Sequence, residues 1–295
     1  MNIIKPENIK KGDTICIIAP SGNVDKNKIL ESVKYFEDKG YNIKLGENIF
    51  NKDRYLAGND KERISDLEKA FLDNNVKAII CARGGYGAIR IIEKINYEII
   101  HKNPKIFCGY SDITALSLMI FKKTGLITYS SPMPKGDFQP NEIDSFTEKN
   151  FWQTIKGELK EITASELKIY KEGCAKGISW GGNLSTVASL CGLDFIPDEK
   201  FIFFTEDLNE PVYKIDRCFR QLLNIEKFRK NISGIVLGDF LGIEYPEQLE
   251  YLFEEITKEL DIPVYGGYEI SHAKSKLTLP IGQNIRLENG KIILL

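Results

Sequence analysis

Ser111 lies in Gly109-Tyr110-Ser111-Asp112, after an apolar run at residues 105–108 and before a helical pattern at residues 113–122. A hydroxyl on such a strand-to-helix turn sits beside the unpaired amides of a helix start. It can attack a carbonyl while the next amide, that of Asp112, supports the developing oxyanion. The turn resembles a nucleophile elbow but lacks the last glycine of G-x-S-x-G. A plain helix cap is the competing reading, because serine and aspartate are both common N-caps.

A hydroxyl nucleophile needs a base, and histidine is the usual one at neutral pH. The chain has only two. His101 falls in a polar connector before a strand and reads as a solvated surface residue. His272 follows the strand pattern 263–266 on a loop at that strand's end. It is either the base or a hydrogen-bonded loop histidine. The base in turn needs an orienting carboxylate. Glu206 and Asp207 follow the apolar run Phe201-Ile202-Phe203-Phe204-Thr205, at the rim of a sheet, where partial burial suits that role. Loop solvation or a helix N-terminal charge accounts for them equally simply. The resulting chain order is Ser, Glu, His, the order of α/β-hydrolases, although triads are defined by geometry.

Two glycine-rich loops accompany these residues. Arg83-Gly84-Gly85-Tyr86-Gly87 follows the strand pattern 76–81. Its glycines allow close backbone approach and positive φ, so the Gly85 amide is a candidate second oxyanion donor and Arg83 a candidate partner for a substrate carboxylate. A phosphate cradle or a tight turn is the alternative. Gly181-Gly182-Asn183 could likewise line a cleft with Trp180 as an apolar wall, while core packing also explains a tryptophan there.

Positioning these loops requires a sheet. Strand patterns at residues 14–19, 41–45, 76–81 and 105–108 alternate with helical patterns at 26–39, 60–74, 88–94 and 113–122. Such alternation predicts a parallel sheet covered by helices, with the chemistry at the strand-end loops. Residues 1–135 form the expected nucleophile-bearing domain and 136–161 a linker, with a helix over 145–156. Residues 162–295 form a smaller second domain carrying the Glu and the His. Its strands are expected at 200–205, 234–238 and 263–266, its helices at 213–223 and 247–260, and a terminal hairpin turns at Asn289-Gly290.

Composition narrows the function classes. Of 295 residues, 42% are hydrophobic and 28% charged, and the net charge is -2, so no basic surface for nucleic acid is indicated. No apolar run reaches membrane-spanning length, and no signal peptide is apparent, which predicts a soluble cytoplasmic protein. The six cysteines match no zinc spacing, and no loop matches a Walker motif or a full dinucleotide fingerprint, so no cofactor is expected. They read as small buried hydrophobes in a reducing compartment; Cys108, three residues before Ser111, is the one alternative nucleophile.

Taken in order, Ile18-Ala19-Pro20-Ser21-Gly22, Ala82-Arg83-Gly84-Gly85-Tyr86-Gly87, Gly109-Tyr110-Ser111-Asp112-Ile113-Thr114 and Gly181-Gly182-Asn183-Leu184 resemble the LD-carboxypeptidase family of serine peptidases. Glu206-Asp207, Tyr213-Lys214-Ile215-Asp216-Arg217, and His272 before Thr278-Leu279-Pro280-Ile281-Gly282 extend that resemblance over nearly the whole chain. The family also includes the microcin C immunity hydrolases. His272 follows a serine where many members have Gly-His. The resemblance implies an α/β fold with a Rossmann-like N-terminal domain and a smaller β-rich α/β C-terminal domain. It further implies a triad of Ser111, Glu206 and His272, an oxyanion hole from the amides of Gly85 and Asp112, no metal, and a homodimer. Arg83, Tyr86, Trp180 and Asn183 are the expected substrate-binding residues. The expected reaction releases terminal D-alanine from murein tetrapeptides in cell-wall recycling. A microcin C immunity-type hydrolase of peptidyl or aminoacyl nucleotides is the alternative within the family; a non-catalytic small-ligand-binding α/β protein is the alternative outside it.

Overall fold

A computed structural model describes residues 2–140 and 142–295. The chain divides into two compact units, Asn2–Glu158 with Thr278–Ile281, and Leu159–Leu277 with Gly282–Leu295.

In the first unit, β-branched and apolar residues form β1 (Thr14–Ile18), β2 (Asn42–Leu45), β3 (Val76–Cys81), β4 (Ile106–Cys108) and β5 (Thr128–Ser130). All pair in parallel, in the order β5-β4-β3-β1-β2. Both faces of the central strands are buried, which explains their continuous apolar runs. The connecting helices carry their own start and stop signals. Asn59 and Glu62 form a reciprocal capping box on Asp60–Leu72. Gly125, at φ 77°, ends Ile113–Thr124, the helix behind Ser111, whose side chains are almost all buried.

Three sequence expectations change here. The helix expected over residues 88–94 is one 3-10 turn, Ala88–Arg90. A separate helix, Tyr97–Lys102, starts at the Asn96 cap and carries His101, which is therefore not in a connector. The segment expected as a linker is part of this unit's core: the helix Ser145–Ile155 buries Phe151 and Trp152 against Phe36, Tyr41 and Phe138. The Trp152 indole donates to the Tyr35 hydroxyl at 2.8 Å, which satisfies its one polar atom.

The second unit is built on a mixed eight-stranded sheet. Its strands are β6 (Glu161–Thr163), β7 (Lys168–Lys171), β8 (Cys174–Asn183), β9 (Phe201–Leu208), β10 (Ile232–Leu241) and β11 (Val264–Gly266). After β12 (Leu279–Ile281), which belongs to the first unit as the antiparallel neighbour of β5, come β13 (Asn284–Glu288) and β14 (Lys291–Leu294). The order is β6-β14-β13-β8-β9-β10-β11-β7, with β8 to β11 parallel and the flanking strands antiparallel. The expected range 162–295 thus misses the return of residues 278–281 to the first sheet. The expected hairpin turn is present, with Asn289 and Gly290 both at positive φ.

Candidate active site

The nucleophile candidate belongs to the first unit. β4 ends at Cys108, Gly109 follows, and Ser111 adopts φ 62°, the left-handed region that a residue with a Cβ enters at a cost. Gly109 is required because a Cβ there would meet Ile113 at 2.8 Å. Ser111 precedes the helix and its carbonyl accepts from the Thr114 amide at 2.9 Å. The hydroxyl is not the helix cap: Asp112 occupies the N-cap position, and it makes no side-chain capping bond either.

The Asp112 carboxylate instead ties neighbouring loops together. It accepts from Ser21 Oγ at 2.5 Å and from the Ala88 amide at 2.8 Å, while 8% exposed. Arg63, fully buried, donates to the carbonyls of Pro20 and Gly87 and to the Asp60 carboxylate. Burial opposes ionisation of Asp60, yet Lys94 and Arg90 hold its carboxyl well below the usual range. Arg63 and Asp60 carry no local sequence signal for this role, whereas Ser21 lies in the Pro-Ser-Gly turn.

The glycine loop lies against this turn. A Cβ on Gly84 would stand 2.8 Å from Ser111 Cβ and 3.2 Å from the Asp112 amide nitrogen. Gly85 adopts φ 108° and Gly87 φ 134°. Arg83 is half-buried and donates from Nη1 to the Asn23 carbonyl at 2.9 Å, so part of its guanidinium serves the scaffold. Tyr86 is exposed and meets Tyr55 edge to face at 5.7 Å. Cys108 is buried and its thiol is pushed up to about 12 by burial, which removes it as a nucleophile at neutral pH.

The acid–base candidates belong to the second unit. Glu206 is an interior residue of β9, not a residue beyond its end, and is 3% exposed. Its Oε2 lies 2.7 Å from His272 Nδ1. Burial raises the Glu206 carboxyl above the ordinary glutamate range, and the His272 contact opposes that rise. With Nδ1 facing a carboxylate, Nε2 is the ring nitrogen that a base in this role uses.

Two expected substrate contacts have other roles. Trp180 is fully buried among Phe195, Phe201, Phe203 and Phe228, so it is a core residue of this unit and not a cleft wall. Asn183 is 7% exposed; its Nδ2 donates to Glu206 Oε1 at 3.2 Å and to Asp207 Oδ1 at 3.0 Å. Its Oδ1 caps the helix Leu184–Ser189 by accepting from the Thr186 amide. Its polar atoms therefore serve the protein's own groups. Asp207 is visible in the sequence beside Glu206, but its link through Asn183 has no local sequence signal.

Among the described residues no cluster of three or more His, Cys, Asp or Glu is placed to hold a metal ion, and no helix is long and apolar enough to cross a membrane.

Comparison with known proteins gives one family throughout. Residues 15–131 match the LD-carboxypeptidase N-terminal domain and residues 176–287 the LD-carboxypeptidase C-terminal domain. A probable murein peptide carboxypeptidase of Bacillus subtilis is 36% identical over 97% of this chain and 92% of its own length. Among solved structures, an MccF-like protein from Bacillus anthracis superposes with a TM-score of 0.91 at 28% identity, covering 99% of both chains. A muramoyltetrapeptide carboxypeptidase from Oxalobacter formigenes gives a TM-score of 0.87 at 29% identity, covering 95% of this chain and 97% of its own. The chain is a member of the LD-carboxypeptidase family of peptidases.

Proposed function

We propose that the protein is a serine-type LD-carboxypeptidase that releases the terminal D-alanine of murein tetrapeptides. The observation that carries this reading is the pair of buried Glu206 and half-buried His272, with 2.7 Å between carboxylate and imidazole. It supplies an oriented base of the kind a serine nucleophile needs. The positive φ of Ser111 at a strand-to-helix turn adds the matching nucleophile geometry. The names of similar proteins supply the substrate class.

In this mechanism His272 Nε2 takes the Ser111 hydroxyl proton as Oγ adds to the carbonyl of the L-configured residue. The amides of Gly85 and Asp112 donate to the oxyanion. The C–N bond then breaks, His272 gives its proton to the leaving D-alanine amine, and water hydrolyses the acyl-enzyme by the reverse proton path. Glu206 stabilises the imidazolium formed in each step. Arg83 and Tyr86 contact the substrate, with the guanidinium on a carboxylate. The protein acts as a cytoplasmic homodimer on peptides returning from the cell wall.

The test is hydrolysis of a murein tetrapeptide followed by mass spectrometry, beside an aminoacyl-nucleotide analogue. Loss of D-alanine from the tetrapeptide is expected, falling by about 10³-fold or more in Ser111→Ala. Unchanged turnover in that variant overturns the nucleophile. Preferential cleavage of the nucleotide analogue selects the immunity-type reaction. Failure of Ser111 to react with a serine-directed acylating probe, with no hydrolysis of either compound, selects a ligand-binding protein.

A further inference from the structure

We propose that Asn183 and Asp207 are positioning residues for the reaction, which hold the Glu206 carboxylate so that its second oxygen faces His272. This rests on Glu206 and His272 acting as orienter and base.

Glu206 and Asp207 are neighbours on one strand, and neighbouring side chains leave a regular strand on opposite faces. One amide nevertheless reaches both. Asn183 stands directly opposite Glu206 in the β8–β9 register. Its Nδ2 carries two hydrogens and donates to Glu206 Oε1 at 3.2 Å and Asp207 Oδ1 at 3.0 Å. Each carboxylate thereby receives one hydrogen from the same nitrogen.

The amide cannot be reversed. Its oxygen accepts from the Thr186 amide at 3.1 Å, Thr186 Oγ1 at 2.8 Å and Ser185 Oγ at 3.0 Å. A flip would aim that oxygen at two carboxylates and the hydrogens at the Thr186 N–H. Asp207 is fixed as well, by the Ser185 amide on Oδ2 and the Leu208 amide on Oδ1, each at 2.8 Å. A continuous line of directed bonds therefore runs from the start of helix Leu184–Ser189 through Asn183 to Glu206, and from Glu206 Oε2 to His272 Nδ1.

The backbone before Asn183 is shaped for this approach. Gly181 and Gly182 both adopt φ 144°, and a Cβ at Gly181 would collide with the Phe204 carbonyl. Glu206 is 3% exposed and depends on protein donors to stay ionised. His272 supplies one and Asn183 another. Without Asn183 the carboxylate is free to rotate, and the imidazole loses the partner that fixes its ring and tautomer.

The test compares Asn183→Ser with the unaltered protein. Serine still caps a helix but is too short to bridge the two carboxylates. Three results are expected: kcat on the tetrapeptide falls about tenfold or more at unchanged KM, that loss disappears in a Glu206→Gln background, and the low-field His272 Nδ1 proton moves upfield in ¹H NMR. Only His101 competes in that spectrum. A raised KM at constant kcat, an equal loss in both backgrounds, or an unmoved Nδ1 proton overturns the proposal. If Asn183→Ser does not fold, Asp207→Asn removes one acceptor at constant shape and is judged by the same criteria. Full activity in Ser111→Ala or Glu206→Gln brings down the triad itself. Activity lost in both of those but retained in Asn183→Ser brings down only the positioning role.

Discussion

Gly84 and Ser111 approach so closely that a methyl group on Gly84 would stand 2.8 Å from Ser111 Cβ and 3.0 Å from its Oγ. The glycine loop and the Ser111 turn therefore pack backbone against side chain, with no room for a Cβ. Gly84→Ala forces the two loops apart, and overpacking of this kind costs about 1–3 kcal/mol. A displacement of about 1 Å at a nucleophile costs about 10²-fold in rate. The expected outcome is a folded protein with kcat/KM on the tetrapeptide reduced by about 10²-fold or more. Wild-type kcat/KM in this variant would show that the close approach has no part in placing Ser111.

The left-handed conformation of Ser111 separates stability from activity. At φ 62° a residue with a Cβ is strained, whereas glycine is not. Ser111→Ala keeps the strain and Ser111→Gly releases it, while both lack the hydroxyl. Urea denaturation is expected to place Ser111→Gly about 1 kcal/mol above Ser111→Ala. Both are inactive. Equal midpoints would mean that the turn relaxes freely and holds the serine without strain.

The centre of the first sheet was legible because β1, β3 and β4 are largely buried and read as apolar runs that lead into turn or glycine-containing loops. Thr128–Ser130 was not legible: three residues with no apolar run become a strand because β4 and β12 lie on either side of them. Leu279–Ile281 carries Pro280, which argues against a strand in isolation but is tolerated at the sheet edge it occupies. Within the candidate site, Glu206 was legible as a carboxylate after an apolar run. Its place inside β9 depends on pairing with Asn183 and on β10 continuing to Leu241, neither of which is a local property. For Trp180 the sequence allows both a cleft wall and core packing, and the four phenylalanines around it decide for the core.

Asp112 carries two separable duties. Its amide is the proposed oxyanion donor, while its carboxylate holds Ser21 and the Ala88 amide. Asp112→Ala keeps the amide and strands two buried partners. Charge-assisted bonds lost at a buried site cost about 2–4 kcal/mol in sum. Chemical denaturation should record that loss, with a smaller one for Asp112→Asn, which retains one acceptor. A loss below about 0.5 kcal/mol in the alanine variant would remove the carboxylate from its tying role.

Trp180 provides a direct contrast between core and cleft. Its ring is enclosed by Phe195, Phe201, Phe203 and Phe228. Trp180→Ala is expected to destabilise by about 3–5 kcal/mol, as large aromatic deletions in cores do. Trp180→Phe, which refills most of the space, should retain the wild-type KM on the tetrapeptide. A severalfold rise in KM for the phenylalanine variant with an unchanged melting temperature would return Trp180 to the substrate site.

Glu206 links pH to both stability and turnover. Burial raises its carboxyl in the folded state, so the folded protein binds this proton more tightly than the unfolded chain does. Its contribution to stability is fully present below the ordinary glutamate value of about 4.3 and is lost as pH rises through the raised folded value. Glu206→Gln cannot undergo that loss. The difference in unfolding free energy, wild type minus Glu206→Gln, should therefore decrease as pH is raised from about 4, with other titrating groups largely cancelling. Turnover moves the other way. The glutamine amide presents either a neutral acceptor or a donor to His272 Nδ1, and the second choice selects the wrong tautomer for a base. A fall in kcat of about 10²–10⁴-fold at neutral pH is expected for Glu206→Gln, by analogy with orienting carboxylates in other triads. Paired denaturation curves across pH, with kcat measured on the same preparations, check both halves. A stability difference that grows with pH would mean that His272 and Asn183 outweigh burial and hold Glu206 below its ordinary value.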